Sequence, residues 1–254
     1  TTKLKKLKKL FEKSKKSGKN SKQGIKKESM QAVIIGETNS GKSSLLKLLT
    51  NAQPEIANYN FSTKQPIIGM IKYQGTQIQL IENPAIESEY YDKGLTNSAD
   101  TLIITITNLK QLEKIKTELK NLTKKQIIIF NNKTNLNNNE LRKLESTLKS
   151  KKTNFEIINL NSKLSLDNLK EKIFQSFDKI RVYTKEPKKQ PNKEKPIVLE
   201  KNSTVKQVAE KILHGFSEKV KETRITGPSS KFPNQKVGLK HKLKDLDVVE
   251  FKTK

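Results

Sequence analysis

Residues Gln31 to Thr50 read QAVIIGETNSGKSSLLKLLT, and this stretch decides the fold. Ala32, Val33, Ile34 and Ile35 form a short apolar run that breaks at Gly36. A polar loop then reaches Gly41-Lys42-Ser43-Ser44, and Leu45, Leu46, Leu48 and Leu49 resume as one face of a helix. Strand, glycine-bearing loop and helix in that order fit the phosphate-binding pattern G-x-x-x-x-G-K-[ST]. Each residue type has a reason. Glycines let backbone N–H groups turn in around a phosphate, the helix start adds positive dipole, Lys42 neutralises phosphate oxygens, and the Ser43 hydroxyl can ligate Mg²⁺.

Outward from this loop, residues 31 to 180 alternate strand and helix. Apolar runs at 32–35, 67–71, 78–81, 102–106, 127–130 and 155–158 predict strands, and helical patterns occupy 42–50, 110–121, 137–149 and 166–179. Such alternation predicts a mostly parallel sheet covered by helices on both faces. Its first strand then delivers the phosphate loop at its carboxyl end. Gly75, between two apolar runs, predicts a hairpin.

The flanking segments differ in character. Residues 1–28 carry twelve Lys against two Glu, and Leu4, Leu7, Leu10 and Phe11 recur at helical spacing. That predicts a basic helix over 3–14 followed by a tether. Three readings remain open for it: an arm on RNA phosphates, a solvated tail docked on the next domain, or a segment on a membrane surface. After Arg181 a Lys/Pro-rich stretch (185–196) leads to a strand at 197–199. A helix capped by Ser203 or Thr204 follows, running to Leu213, then short strands at 223–226, near 237–239 and at 248–251. This makes a small α+β module.

Composition narrows the function. The chain has 254 residues, 52 basic against 26 acidic, and a net charge of +26, which points to a polyanionic partner. Lys, Asn and Ile are abundant and only Arg142, Arg181 and Arg224 are arginine, so a biased genome is the competing explanation of the charge. With no Cys and only His214 and His241, disulfides, thiolate nucleophiles and cysteine zinc sites are excluded. Any metal is expected to be Mg²⁺ held by oxygens and phosphate. No apolar run approaches the ~20 residues needed to span a bilayer. A cytoplasmic protein without membrane attachment is therefore expected.

Downstream blocks carry a family resemblance. Residues 59–69 (YNFSTKQPIIG) resemble the first switch of Obg-like GTPases, and Ile81-Glu82-Asn83-Pro84-Ala85-Ile86 resembles their D-x-P-G block. Phe130 to Asn135 is similar to the N-K-x-D guanine motif, with Asn132-Lys133 in register. Arg181 to Lys185, Lys236 to His241 and Asp247 to Val249 resemble the TGS domain that closes the DRG (developmentally regulated GTP-binding) branch. The resemblance implies a Ras-like P-loop G domain at 31–180 and a ubiquitin-like β-grasp TGS domain at 181–254, preceded by the basic arm at 1–30. The extra domain that the branch inserts before its guanine motif is missing here. The second switch, 87–100, is short.

What the resemblance implies for the site can be set out residue by residue. Asn39, Ser40, Gly41, Lys42, Ser43, Ser44, Ala85, Asn132, Lys133, Asn135 and Leu160 are expected to touch GTP or GDP. Ser43, Thr63 and Glu82 are expected on Mg²⁺, with Ser62 the alternative to Thr63. Asn39 is a candidate for K⁺, although asparagine is also simply a good turn former. Lys42 and Thr63 are expected to serve hydrolysis. Four substitutions depart from the pattern. Glu82 replaces Asp, Ala85 replaces a glycine, Ile86 stands where Ras-like proteins orient water with Gln, and Asn135 replaces the guanine-reading Asp. The expected function is a slow GTPase switch acting on the ribosome or structured RNA, with a DRG-type regulatory protein as a further partner. A hydrolysis-deficient RNA-binding adaptor is the alternative.

Overall fold

The computed structural model describes residues 25–50, 65–120, 123–133, 135–159, 166–186, 189–191 and 194–253. The expected arm helix, Ser62, Thr63 and Leu160 lie outside these. In chain order the elements are β1 (Gln31–Ile35), α1 (Lys42–Thr50), β2 (Ile67–Tyr73), β3 (Thr76–Glu82), α2 (Lys93–Ser98), β4 (Thr101–Ile106), α3 (Leu109–Glu118), β5 (Lys125–Asn131), α4 (Asn138–Ser150), β6 (Phe155–Ile158) and α5 (Asp167–Gln175). A second group follows: β7 (Lys179–Lys185), β8 (Ile197–Glu200), α6 (Val205–Ile212), α7 (Phe216–Lys219), β9 (Val220–Thr226), β10 (Gln235–Val237) and β11 (Asp247–Thr253).

The first sheet runs β2-β3-β1-β4-β5-β6, parallel throughout except that β2 and β3 form the antiparallel hairpin expected around Gly75. Its strands read as unbroken apolar runs because helices cover both faces. The pleat sorts alternate residues to opposite cores. Ala32, Ile34, Ile103, Ile127 and Ile129 pack with Leu45, Leu46 and Leu49 of α1 and with Ile173 and Phe174 of α5. Val33, Ile35, Leu102, Ile104, Ile128 and Phe130 pack on the other side with α3 and α4. Each fully buried leucine of α1 contributes about 1.5–3 kcal/mol, so the helix that follows the loop is anchored by its own apolar face.

Helix α5 ends earlier than the sequence pattern predicts. Its last turn closes at Ser176, Asp178 adopts a left-handed φ of 51°, and the chain reverses into β7. Ile180 thereby joins a separate core with Val182, Leu199, Val205, Val208, Ile225, Leu243 and Val249. The second sheet runs β10-β9-β11-β7-β8, with β7 and β11 parallel at its centre and the other pairs antiparallel, and α6 packs on β8 at one edge.

The two units meet along the hairpin. Val198 packs on the α1/α5 side of the first core, and the loop at Gly75 approaches Glu194 O and Pro196 so closely that a Cβ at that glycine would meet Glu194 O at 2.5 Å. At this same amino end of the strands, Lys27 Nζ donates to Ser98 O (2.8 Å) and Asp100 Oδ1 (2.5 Å), and the Gln31 amide donates to Asp100 Oδ2 (3.0 Å). The basic segment therefore joins the domain at the pole away from the phosphate loop.

Candidate nucleotide site

β1 ends at Ile35, and only glycine fits the next position: a Cβ on Gly36 would lie 2.5 Å from Thr105 O and 2.6 Å from Ser40 Oγ. Ser40 Oγ and Thr105 Oγ1 share a hydrogen bond of 2.9 Å, which pins the loop to the end of β4. Asn39 (φ 61°) and Gly41 (φ 103°) take left-handed conformations, turning the loop back on itself before Leu45 N donates to Gly41 O and opens α1. Left-handed turns of this kind make concavities suited to anions.

Lys42 is buried and arches back over the loop, donating to Gly36 O (3.2 Å) and Glu37 O (2.9 Å). Burial lowers its pKa, partly offset by the nearby Glu82 and Glu87 carboxylates. Ser43 Oγ donates to Glu82 Oε1 at 2.6 Å, so the longer acid at the end of β3 does reach the start of α1. Glu82 Oε2 is buried with no hydrogen-bond partner. Burial pushes the Glu82 carboxyl upward, against the pull of the Ser43 hydrogen bond and of Lys42 and Lys47. An orphaned carboxylate oxygen beside a serine hydroxyl is a donor set that suits a hard divalent cation.

The far side of the loop is braced from β5. Asn131 Nδ2 donates to Ser40 O (3.1 Å), and Lys133 Nζ donates to Asn39 O. Asn132, the residue picked out by motif spacing, turns its side chain to the following loop instead: its Oδ1 accepts from Leu136 N (2.9 Å), while its backbone N–H donates to Ile158 O (2.8 Å). The signal for Asn131 lay in the pleat, since it continues the face of Ile127 and Ile129, the side on which α1 packs. Asn135 has a φ of 50°, and its Oδ1 accepts from Asn159 Nδ2 (2.8 Å). Ser44 is exposed in the first turn of α1.

Beyond β3 the second-switch segment folds over the loop. Ile86 N donates to Gly36 O (3.2 Å), Ala85 O accepts from Ser88 N (2.9 Å), and Thr38 N donates to Glu87 Oε1 (2.7 Å). Asn83 is wholly buried and staples the segment: its Nδ2 donates to Asp92 O (2.8 Å) and Thr96 Oγ1 (3.0 Å), while its Oδ1 accepts from Asp92 N (3.1 Å). Asp92 in turn caps α2 by accepting from Leu95 N. Asn83 and Glu87 carry no motif signature, so sequence reading passes over them.

Comparison with known proteins places this geometry. Residues 31–133 match the family described as 50S ribosome-binding GTPase, and residues 180–253 match the TGS domain. The chain thus joins a domain matching the 50S ribosome-binding GTPase family to a TGS domain, and developmentally-regulated and Obg-type GTP-binding proteins are among the proteins it is similar to. It is 25% identical to an uncharacterized GTP-binding protein of Methanocaldococcus jannaschii, across 88% of this chain and 78% of that one. It is 24% identical to developmentally-regulated GTP-binding protein 2 of Homo sapiens, across 89% and 83%. Both alignments run past 300 positions, longer than the GTPase-TGS chain itself, because stretches of the relatives have no counterpart here. A solved GTP-binding protein of Pyrococcus horikoshii shares the fold with a TM-score of 0.56 at 10% identity, covering 89% of this chain and all of that one. Among the described residues no helix is long and apolar enough to cross a membrane.

Proposed function

We propose that this chain is a GTP-binding switch that hydrolyses slowly and works against the ribosome or another structured RNA. The observation that carries the nucleotide reading is the preformed grip: Lys42 drawn over a left-handed loop, next to Ser43 and a Glu82 oxygen that lacks a partner. Ser43 and Glu82 would hold Mg²⁺, joined by Thr63, and the ion supplies charge neutralisation for phosphate oxygens. Lys42 binds and orients the same oxygens. Asn131 and Lys133 hold the loop in shape from the base side, and Asn39 is the candidate K⁺ ligand.

Slow turnover is supported by what surrounds this grip. Ile86 has no group with which to orient water, and Ala85 puts a Cβ where the family pattern has glycine. RNA contact is supported by the net charge of +26 and by the ribosome-binding description of the matching family. The departures also favour a second reading, a hydrolysis-deficient adaptor that binds RNA or the ribosome and uses the nucleotide only structurally. A DRG-type regulatory protein is a further partner in either case.

The test is nucleotide association by calorimetry with Mg²⁺, and turnover in K⁺ and in Na⁺, each with and without ribosomes. GTP turnover abolished by Lys42→Ala supports the switch. Tight Mg²⁺-dependent binding without turnover in either salt supports the adaptor. No association of GDP or GTP at millimolar ligand sinks the switch and leaves only an RNA-binding adaptor with an empty pocket.

A further inference from the structure

The phosphate loop already holds an anion, and it comes from the chain itself. Glu87 Oε1 sits 2.7 Å from the Thr38 amide, so a backbone N–H of the loop donates to a carboxylate. The turn that carries Glu87 is fixed from two sides, by Ile86 N on Gly36 O (3.2 Å) and by the Asn83 side chain gripping Asp92. Glu87 is thus delivered to the loop by a stapled segment. Two cations share its surroundings: Lys42, whose field acts on the carboxylate, and Lys114, paired with Glu37 at 2.9 Å. Burial pushes the Glu87 carboxyl up, but the Thr38 hydrogen bonds and Lys42 outweigh it, and its pKa falls below the ordinary range. Glu87 is therefore ionised at neutral pH, bonded to one amide of the phosphate loop and within the field of Lys42.

We propose that Glu87 is a specificity-determining residue that sets the site's preference between nucleoside diphosphate and triphosphate. Seated on Thr38, its carboxylate competes with a terminal phosphate for the loop and for Lys42. A diphosphate carries less negative charge and leaves the contact in place. A triphosphate must drive Glu87 off the loop, and the turn between Ala85 and Tyr91 moves with it. This inference rests on the reading of the loop as a nucleotide site. It assigns to one side chain the sensing of the third phosphate.

Glu87→Gln tests it, because a carboxamide oxygen can still accept from Thr38 and only the charge is lost. Affinities of the full chain for GDP and for a non-hydrolysable GTP analogue are measured by calorimetry with Mg²⁺. Glu89→Gln, an exposed acid two residues on, is the control. The expected result is that Glu87→Gln improves the triphosphate-to-diphosphate affinity ratio about tenfold, the size of a single partly screened charge repulsion, while Glu89→Gln leaves it unchanged. A ratio within twofold of wild type in Glu87→Gln, with GDP binding intact, overturns the proposal and spares the nucleotide site. Equal improvement in both variants also overturns it, since general charge then explains the effect. If wild type and variants bind neither nucleotide, the nucleotide reading fails and takes this proposal with it.

Discussion

Ser43 Oγ donates to one oxygen of Glu82 over 2.6 Å while the other oxygen of that carboxylate is buried without a partner. A charge in that position is costly until a cation arrives. Burial raises the folded-state pKa of Glu82, so the nucleotide-free protein loses stability as pH rises from the ordinary carboxylate range through that raised value. Glu82→Gln removes the charge. At pH 8 without Mg²⁺ the variant is expected to melt about 2 °C higher, the equivalent of ~1 kcal/mol. Its nucleotide affinity should gain about tenfold less from Mg²⁺ than that of wild type. Calorimetry with and without Mg²⁺ checks this, and an unchanged Mg²⁺ dependence would remove Glu82 from the metal site.

Asn135, the proposed base-reading residue, has its oxygen already engaged by Asn159 Nδ2 at 2.8 Å. Guanine offers two donors to this position and needs acceptors, whereas xanthine offers a carbonyl at the same edge. Loss of a charge-assisted hydrogen bond costs about 1.5–3 kcal/mol. Wild type is therefore expected to bind XTP at least as well as GTP, and Asn135→Asp should raise GTP affinity tenfold or more. Competition between the two nucleotides for a fluorescent GDP analogue measures both. Strong guanine preference in wild type, indifferent to Asn135→Asp, contradicts the assignment.

Asn83 holds the second-switch segment with three hydrogen bonds from a fully buried side chain. Asn83→Ala removes three hydrogen bonds and strips the Asp92 N–H of its acceptor, while Thr96 Oγ1 keeps Tyr91 and Asp92 O, and is expected to cost about 1–3 kcal/mol. The damage should be local. Hydrogen exchange should accelerate over residues 85–98 and stay slow in β1, β4 and β5, since α2 depends on Asp92 for its cap. Uniform acceleration would mean that Asn83 supports the whole domain.

Why the sequence disclosed some of this and not the rest has a physical basis. β1 and β5 are buried on both faces, so their apolar runs are continuous and hard to misread, and Gly41-Lys42-Ser43 between a strand and a leucine-faced helix admits few alternatives. α2 was invisible because KGLTNS buries only Leu95 and Thr96, too few for a stripe, and its start is fixed by Asp92 and Asn83. The overrun of α5 has a similar cause. Ile173, Phe174, Phe177 and Ile180 keep helical spacing across the boundary, although Ile180 belongs to the second core. Asn131 is readable only from the pleat of β5, and Glu87 acts through tertiary placement alone.

Glu222 on β9 is surrounded by Arg224 Nε (2.7 Å), Lys236 Nζ (3.1 Å) and Lys252 Nζ (3.7 Å). Hydrogen bonds from Arg224 and Lys236 lower its pKa from 4.5 to about 2. A carboxylate depressed in the folded state stabilises above its unfolded pKa and loses that contribution as pH falls through the folded value. The TGS domain is therefore expected to lose stability between pH 4.5 and about 2 through this residue. Glu222→Gln should flatten the melting profile in that window and leave the shape above pH 5 unchanged. Added salt should shrink the difference, because the cluster lies at the surface.

Arg181 joins the two domains. Its guanidinium donates from Nε (3.1 Å) and Nη2 (2.5 Å) to Asp245 and from Nη1 to Gln74 Oε1, and it lies 4.5 Å from the Phe174 ring centroid. Its side chain is 8% exposed. Gln74 and Gly75 form the tip of the β2–β3 hairpin, and the other end of that hairpin pairs Ile67 with Glu82, the acid of the proposed metal site. The TGS domain is therefore clamped to the far end of the element that presents Glu82. Asp245 is itself 35% exposed, so removing it from the pair is expected to cost about 1–3 kcal/mol, less than for a fully buried ion pair. In Asp245→Ala the bare guanidinium cannot stay buried between Phe174 and Gln74, so the TGS domain should release from the hairpin. Scanning calorimetry is then expected to resolve two transitions where wild type shows one, with the GTPase domain melting near its original temperature in saturating GDP. If Asp245→Ala melts in a single, unshifted transition, the Gly75 and Val198 contacts suffice to hold the domains together.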